Sequence, residues 1–360
     1  MKVWWCMDRT PFDDARGGDP GSTRCLAIGL ANRDHDVSIF NPVWPDSRLP
    51  FYIRTVRTAS RFAKGLRKRF EAHPPSVVIA QNHVYPYVVR EAKRAGVPVV
   101  LVARDKRYRC PQFPSEYMGC TGQCAWCVGK MALLPYPWFR HHVNMSREMA
   151  MASDAQVTVS KHMADDMRAC IPGTDPVVIP PPWDGSEFPD QWEPRDVLFM
   201  GRGHYKGADV VLEIAEEMQD RPWRFRVCNG QEPALAMKFG ALPNVDYLGF
   251  VDKRVAFSKA RILICPARWD EPSSRSIVEA ASIGIPTIAS DVGGQREMVG
   301  IGGRLVDDPE DIDRWCMAID ALMTSPTMWL FDSLFAREHV REYHVEVAAE
   351  RLERVLESVA

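Results

Sequence analysis

A chain of 360 residues exceeds what a single hydrophobic core ordinarily supports, so two domains of roughly 170 residues each are expected. With 46% apolar and 26% charged residues the composition is that of an ordinary globular protein, and a formal net charge of -2 excludes any global attraction to nucleic acid or to an anionic membrane. Apolar runs such as "VPVVLVA" are too short to span a bilayer and "MKVWWCMD" lacks the apolar region of a signal peptide, so a cytoplasmic protein is expected.

The first half begins with "KVWWCM", "TRCLAIGLANRD" and "DVSIF", a strand, a helix and a strand, with the glycine-rich turn "DARGGDPG" between the first two. From 54 to 69, "RTVRTASRFAKGLRKR" holds seven cations and no acid. Arg54, Arg57, Arg61, Lys64 and Lys68 fall at helical steps, with Val56, Ala59, Phe62, Ala63, Leu66 and Phe70 opposite them. Such a helix is either a solvated face or a surface for anionic lipid or an acidic acceptor. The segments "SVVIAQ", "YPYVVREAKRAG" and "VPVVLVA" then continue the alternation of strand and helix that marks a parallel sheet covered on both faces.

Next, "YRCPQFPSEYMGCTGQCAWCVG" supplies Cys110, Cys120, Cys124 and Cys127 in a C-x9-C-x3-C-x2-C spacing, with Gly119 and Gly122 as turn formers. Four thiolates so placed can close a structural zinc site, and His141 or His142 could substitute for one of them; free thiols, a disulfide and an iron–sulfur cluster are the other readings. The remaining cysteines (Cys6, Cys25, Cys170, Cys228, Cys265 and Cys316) sit in mostly apolar surroundings and read as core packing. The densest proline stretch, "IPGTDPVVIPPPWDGSEFPDQWEPRD", reads as an extended connection. The rhythm then restarts with "DVLFMGR", "DVVLEIAEEMQ", "WRFRVCNG", "VDYLGFV", "RILICPA" and "PTIAS", and the tail "AREHVREYHVEVAAERLERVLESVA" reads as one long amphipathic helix. The expected division is 1–188, with a cysteine-rich insert at about 106–130, then 189–335, then a helix over 336–360 that returns to the first domain.

The chemistry concentrates in "RWDEPSSRSIVEAASIGIPTIASDVGG". Pro272 is tolerated only at the start of a helix, Ser273 or Ser274 can cap it, and Gly284 ends it. Glu271 and Glu279, in an E-x7-E spacing, then lie roughly 10 to 12 Å apart along the axis, with a helix N-terminus between them that favours an anion. In "GRGHYKG" a strand-to-helix turn carries Gly201, Gly203 and Gly207 with Arg202 and Lys206, a pattern suited to neutralising phosphate without a metal. The bland reading leaves both glutamates solvated and the turn merely basic.

Taken in order, "GGDPGSTRCLAIGLANRDHDVSIF", "ASDAQVTVSKHMADDM", "VVIPPPWDGSEF", "GRGHYKGADVVLEIAEEM", "LPNVDYLGFVD" and the E-x7-E segment resemble the retaining glycosyltransferases of the GT-B fold, family 4. The resemblance implies an α/β fold of two Rossmann-like domains facing each other across a cleft. It also implies transfer of a sugar, with retention, from a nucleoside diphosphate sugar to an acceptor hydroxyl. Carried over, Arg202 and Lys206 bind the diphosphate, Glu279 the ribose and Glu271 the donor sugar. Ser273, Ser274, Arg275 and Ser276 complete that side with Gly201, and Gly17 and Gly18 line the cleft from the other domain. Glu271, Arg202 and Lys206 would carry catalysis by front-face displacement, with no cofactor required. Where the family often has His-Asp, this chain has Arg104-Asp105.

The implied partners are a nucleotide sugar and an acceptor that is a glycan, a lipid-linked sugar or a small molecule, with peripheral contact at the inner face of a membrane through 54–70. The alternatives are a GT-B-fold sugar-nucleotide epimerase, or a zinc-knuckle protein binding nucleic acid, against which the near-neutral charge stands. Replacing Glu279 or Arg202 by alanine is expected to weaken nucleotide binding and leave the fold intact.

Overall fold

The computed structural model describes residues 1–12, 18–44, 51–109, 136–186, 188–228 and 230–360. The chain forms two compact units, Met1–Pro180 with Val345–Ala360, and Pro181–His344. The first division falls within the proline stretch but at Pro180–Pro181 rather than at 188–189, and the return lies at His344–Val345 rather than at 335–336. Trp183 explains both shifts. Its Nε1 donates to Val340 O at 2.8 Å and its backbone N–H to Tyr343 O at 3.2 Å, which holds 183 and 340–343 in one unit.

The first unit contains β1 (Lys2–Cys6), α1 (Gly18–Ala31), β2 (Asp36–Phe40), α2 (Phe51–Ala72), β3 (Val77–Gln81), α3 (Tyr85–Arg94), β4 (Val99–Ala103), α4 (Tyr136–Ala152), β5 (Ala155–Thr158), α5 (Lys161–Cys170) and β6 (Val177–Val178). Its strands are parallel in the order β2-β1-β3-β4-β5-β6. "VVIAQ" and "VVLVA" are buried along their whole length, as strands covered by helices on both faces must be. On α2, Ala59, Ala63, Leu66 and Phe70 enter the core, while Arg57, Arg61, Lys64, Arg67, Lys68 and Arg69 are exposed.

The second unit repeats the plan with β7 (Asp196–Phe199), α6 (Ala208–Glu217), β8 (Phe225–Cys228), α7 (Pro233–Ala241), β9 (Val245–Gly249), α8 (Lys253–Phe257), β10 (Ala260–Cys265), α9 (Arg275–Ile283), β11 (Thr287–Ser290), α10 (Gln295–Val299), β12 (Gly303–Val306), α11 (Ile312–Thr324) and α12 (Pro326–His339). Its parallel order is β12-β11-β10-β7-β8-β9. The central β7 and β10 therefore present the loops after Phe199 and Cys265 side by side, at the carboxyl edge where α/β sheets bind ligands.

The tail is not the single helix its periodicity suggests. α12 ends at His339, a 3-10 turn spans Val340–Tyr343, and α13 (Val345–Glu357) follows. The break occurs where Trp183 binds the turn's carbonyls, so the chain is held in the second unit before it returns to the first. In the first unit, Ala348, Ala349, Leu352 and Leu356 of α13 are buried, and Glu353 pairs with Arg33 and, at 2.7 Å, with His35. Helices α1 and α13 meet so closely at Gly29 that a Cβ there would lie 2.7 Å from Ala349 Cβ. Gly29→Leu should therefore lose on the order of 1–3 kcal/mol by overpacking this contact, measured by urea unfolding against wild type.

Candidate functional site

In the second unit, the loop after β7 forms a glycine turn whose backbone is fastened from outside. Gln231 Oε1 accepts the Gly203 N–H at 3.0 Å and its Nε2 donates to Gly201 O at 2.7 Å, while Tyr247 Oη receives the Gln231 N–H at 2.8 Å. Gly207 closes the turn at φ 75°, where a Cβ would meet Pro266 O at 1.9 Å, so only glycine fits. Helix α6 starts immediately afterwards. Arg202 on this turn is exposed and makes no ion pair with the described residues.

Lys206 points instead to the loop before α9. Its Nζ pairs with Glu271 Oε2 and lies 4.9 Å from the centre of the Trp269 ring, whose Nε1 donates to the same carboxylate oxygen at 2.6 Å. Glu271 is only 5% exposed. Its backbone is gripped by "SDVGG": Gly294 N–H donates to Glu271 O at 2.7 Å, and Gly293, at φ 57°, leaves room that a Cβ 2.2 Å from that oxygen would take. This close approach gives Gly293 a physical reason.

Helix α9 opens at Arg275 with Ser274 in the N-cap position, but no side chain caps it; Ser274 Oγ turns to Ser276 Oγ at 3.0 Å. The serine cap read from the sequence is thus a cap by position only, and the first N–H groups of α9 receive no side-chain acceptor from it. Ser273 and Ser276 are half-buried beside this end. Burial pushes the thiol of Cys265, at the end of β10 near Ser274 and Ser276, up to about 12, so it stays protonated.

Glu279 is 1% exposed on the second turn of α9. Lys253 from α8 and Arg275 from the preceding turn both hold its Oε1, and Oε2 accepts no hydrogen bond from the described residues. The bland reading of a solvated glutamate is excluded by this burial. Lys253 left no trace in the sequence, because its contact spans 26 positions and follows no motif.

Two family models match this chain: "Glycosyl transferases group 1" over residues 194–325 and "Glycosyl transferase 4-like domain" over residues 22–183. The chain belongs to the group 1 glycosyltransferases. Among curated relatives, the phosphatidyl-myo-inositol mannosyltransferase of Mycolicibacterium smegmatis is 29% identical over 368 residues, covering 96% of this chain and 92% of that one. A putative glycosyltransferase of Bacillus subtilis, YtcC, is 30% identical over 128 residues, 33% of this chain and 31% of that protein's length. Among solved structures, sucrose-phosphate synthase of Thermosynechococcus elongatus superposes with a TM-score of 0.77 at 17% identity, over 99% and 98% of the two chains. HepE of Anabaena, solved with UDP-glucose, gives 0.70 at 15% identity, over 99% and 100%. Both units are the Rossmann-like halves of a GT-B fold.

The first unit of this glycosyltransferase carries a polar cluster of its own, at the carboxyl ends of β1, β3 and β4. Asp8 accepts the N–H groups of His83 and Val84 at 3.2 and 3.1 Å. Asp19 receives Gln81 Nε2 at 2.6 Å and pairs with Arg104 at 3.1 Å, while Arg107 donates to Asp105 and to the His83 ring. Arg104, standing where the family often has histidine, has its own side chain buried and is tied to the half-buried carboxylate of Asp19. Asn82 holds a left-handed φ of 58°, uncommon for a residue with a side chain. Burial, reinforced by Arg107, lowers His83 to about 3 and keeps the ring neutral. Of the glycines assigned to this side, Gly18 is the first residue of α1, and Gly17 lies outside the described residues. So do Cys110, Cys120, Cys124 and Cys127. Of the histidines considered as substitutes, His142 contacts Tyr87 Oη at 3.4 Å. Beside α2, a groove of about 560 Å³ is lined by Phe40, Pro42, Val43, Phe62, Arg61 and Arg69.

Asp8, Asp19, His83, Arg107 and Gln231 were not singled out from the sequence. Asp8 alone carried a usable signal, as the polar residue just past the first strand.

Burial of Glu279 revises the expectation that its replacement spares the fold. Glu279→Ala should leave Arg275 without its carboxylate and lose roughly 3 kcal/mol in chemical unfolding, whereas Arg202→Ala should unfold as wild type does. Burial also raises Asp8 from 3.8 to about 7, opposed by Arg107. The folded chain then binds more protons than the unfolded one between those values, so this residue's contribution to stability is full at low pH and is lost as pH rises to about 7. Asp8→Asn should flatten that part of the stability profile, read from urea unfolding at a series of pH values.

Proposed function

We propose that this glycosyltransferase moves a sugar from a nucleoside diphosphate sugar to an acceptor hydroxyl with retention of configuration. The observation that carries the reading is the meeting of Lys206 with Glu271, which joins the glycine turn to the first carboxylate of E-x7-E beside the uncapped start of α9. A donor diphosphate fits between Arg202, Lys206 and the N-terminus of that helix, which no side chain caps. Glu279 Oε2 is open to ribose hydroxyls, because its two cations are both spent on Oε1. Glu271, fixed by Lys206 and Trp269, meets the sugar.

Chemically, the leaving diphosphate oxygen gains negative charge as the bond to the anomeric carbon breaks. Arg202, Lys206 and the helix N-terminus stabilise that charge, and the same oxygen can receive the acceptor's proton on the face being attacked. No protein nucleophile is required. The neighbour HepE was solved with UDP-glucose, and a relative is a phosphatidyl-myo-inositol mannosyltransferase, which favours a nucleotide-hexose donor and a lipid-linked or glycan acceptor here. The exposed cations of α2 and the groove beside it, apolar with two arginines, favour an acceptor held near anionic lipid. No helix among the described residues is long and apolar enough to cross a membrane. The four cysteines of the insert are proposed to hold a structural zinc.

Thermal-shift screening against UDP, GDP, ADP and TDP sugars should find one stabilising base. With that donor, calorimetry should show Arg202→Ala and Lys206→Ala binding roughly ten- to a hundredfold more weakly, the worth of one or two charge-assisted hydrogen bonds. Unchanged affinity in both variants would refute the site. An anomer-resolved product of inverted configuration would refute retention, and metal analysis of the same sample should return zinc.

A further inference from the structure

Helix α12 partly buries one large side chain, Trp329, whose ring packs on the core and whose Nε1 donates to Arg261 O at 2.7 Å. The rest of its inner side is polar or small, with Asp332 paired to Arg304 at 3.0 Å, Ser333 Oγ donating to Gly284 O at 2.6 Å, Arg337 Nε donating to Ile283 O at 3.0 Å, and Ala336 buried. Its outer side is apolar, with Met328 38% exposed, Leu330 52%, Phe331 56%, Leu334 55% and Phe335 44%. The last four occupy i, i+1, i+4 and i+5, which makes one continuous stripe along the helix. Within "PTMWLFDSLF" the only charged residue, Asp332, is turned inward.

These inner contacts fix α12 firmly, so the exposed stripe is a built surface and not a frayed end. Its apolar area is on the order of 500 Å², toward the upper end of what a monomer leaves in water. An interfacial membrane helix would flank such a stripe with free Lys or Arg. Here Arg337 is spent on Ile283 O, and Arg341 lies beside Glu338 at 3.8 Å. A protein partner suits an uncharged, aromatic-rich face better, and a second copy of the chain brings the same face. Two such stripes, antiparallel about a twofold axis, are self-complementary. About 500 Å² of apolar surface per copy is close to the apolar share of a standard homodimer interface of roughly 800 Å² per partner.

We propose that the glycosyltransferase is a homodimer in which α12 packs antiparallel on α12 of a second copy. Light scattering on the full chain, from about 1 to about 100 µM, should give twice the 40.8 kDa chain mass in a concentration-dependent way. Leu334→Glu and Phe331→Glu, which set carboxylates against their own copies across the axis, should each weaken dimerisation at least about a hundredfold. Both positions are exposed, so circular dichroism and donor-induced thermal shift should match wild type. A wild-type chain that stays monomeric overturns the proposal. So does a dimer that both substitutions leave intact, or a monomer whose binding to phosphatidylcholine–phosphatidylglycerol vesicles the substitutions abolish.

Discussion

An ionised carboxylate withdrawn from water has to be met by cations or N–H groups, and Glu271 and Glu279 are both withdrawn almost completely. Their partners come from four separate places in the second unit: the turn after β7 (Lys206), the loop after β10 (Trp269), the short helix α8 (Lys253) and the first turn of α9 (Arg275). Satisfying two carboxylates therefore draws these segments together. Gln231 and the "SDVGG" turn then hold the backbones on which those side chains stand, so the site is organised before any ligand arrives.

That arrangement leaves particular atoms unspent. Glu279 offers Oε2, Arg202 stands exposed on the glycine turn, and α9 begins without a side-chain cap. A nucleotide sugar needs acceptors for its ribose, cations for its diphosphate and a helix end for its charge, and those are the groups left over. The first unit solves a different problem. Its carboxylates Asp8, Asp19 and Asp105 are balanced by Arg104 and Arg107 around a neutral His83.

Two helices show how the surface departs from the pattern of an inert globule. α2 buries its apolar side and displays cations, as its sequence periodicity requires. α12 partly buries Trp329 but is otherwise held by polar side chains that find partners on Arg304, Gly284 and Ile283, which leaves leucine and phenylalanine outside.

Much of this was readable in one dimension, because local rules govern it. The alternation of buried strands and amphipathic helices, the glycine turns, the proline connection and the start of α9 after Pro272 all follow from residue periodicity and backbone freedom. The resemblance carried by "GRGHYKG" and the E-x7-E segment brought the glycosyltransferase family with it. Hidden from the sequence were contacts between residues far apart in the chain: Lys206 with Glu271, Lys253 with Glu279, Gln231 with the turn and Trp183 with the break after α12. The serine N-cap misled, since Ser274 found Ser276 instead of the helix backbone. The single long tail misled as well, since its periodicity continues across a turn that only Trp183 reveals. The sequence by itself determined which segments become strands and helices and which motif families they carry. Only the tertiary structure decided which cation answers each buried carboxylate and which oxygens stay open, because ion pairing depends on distance in space and leaves no period along the chain.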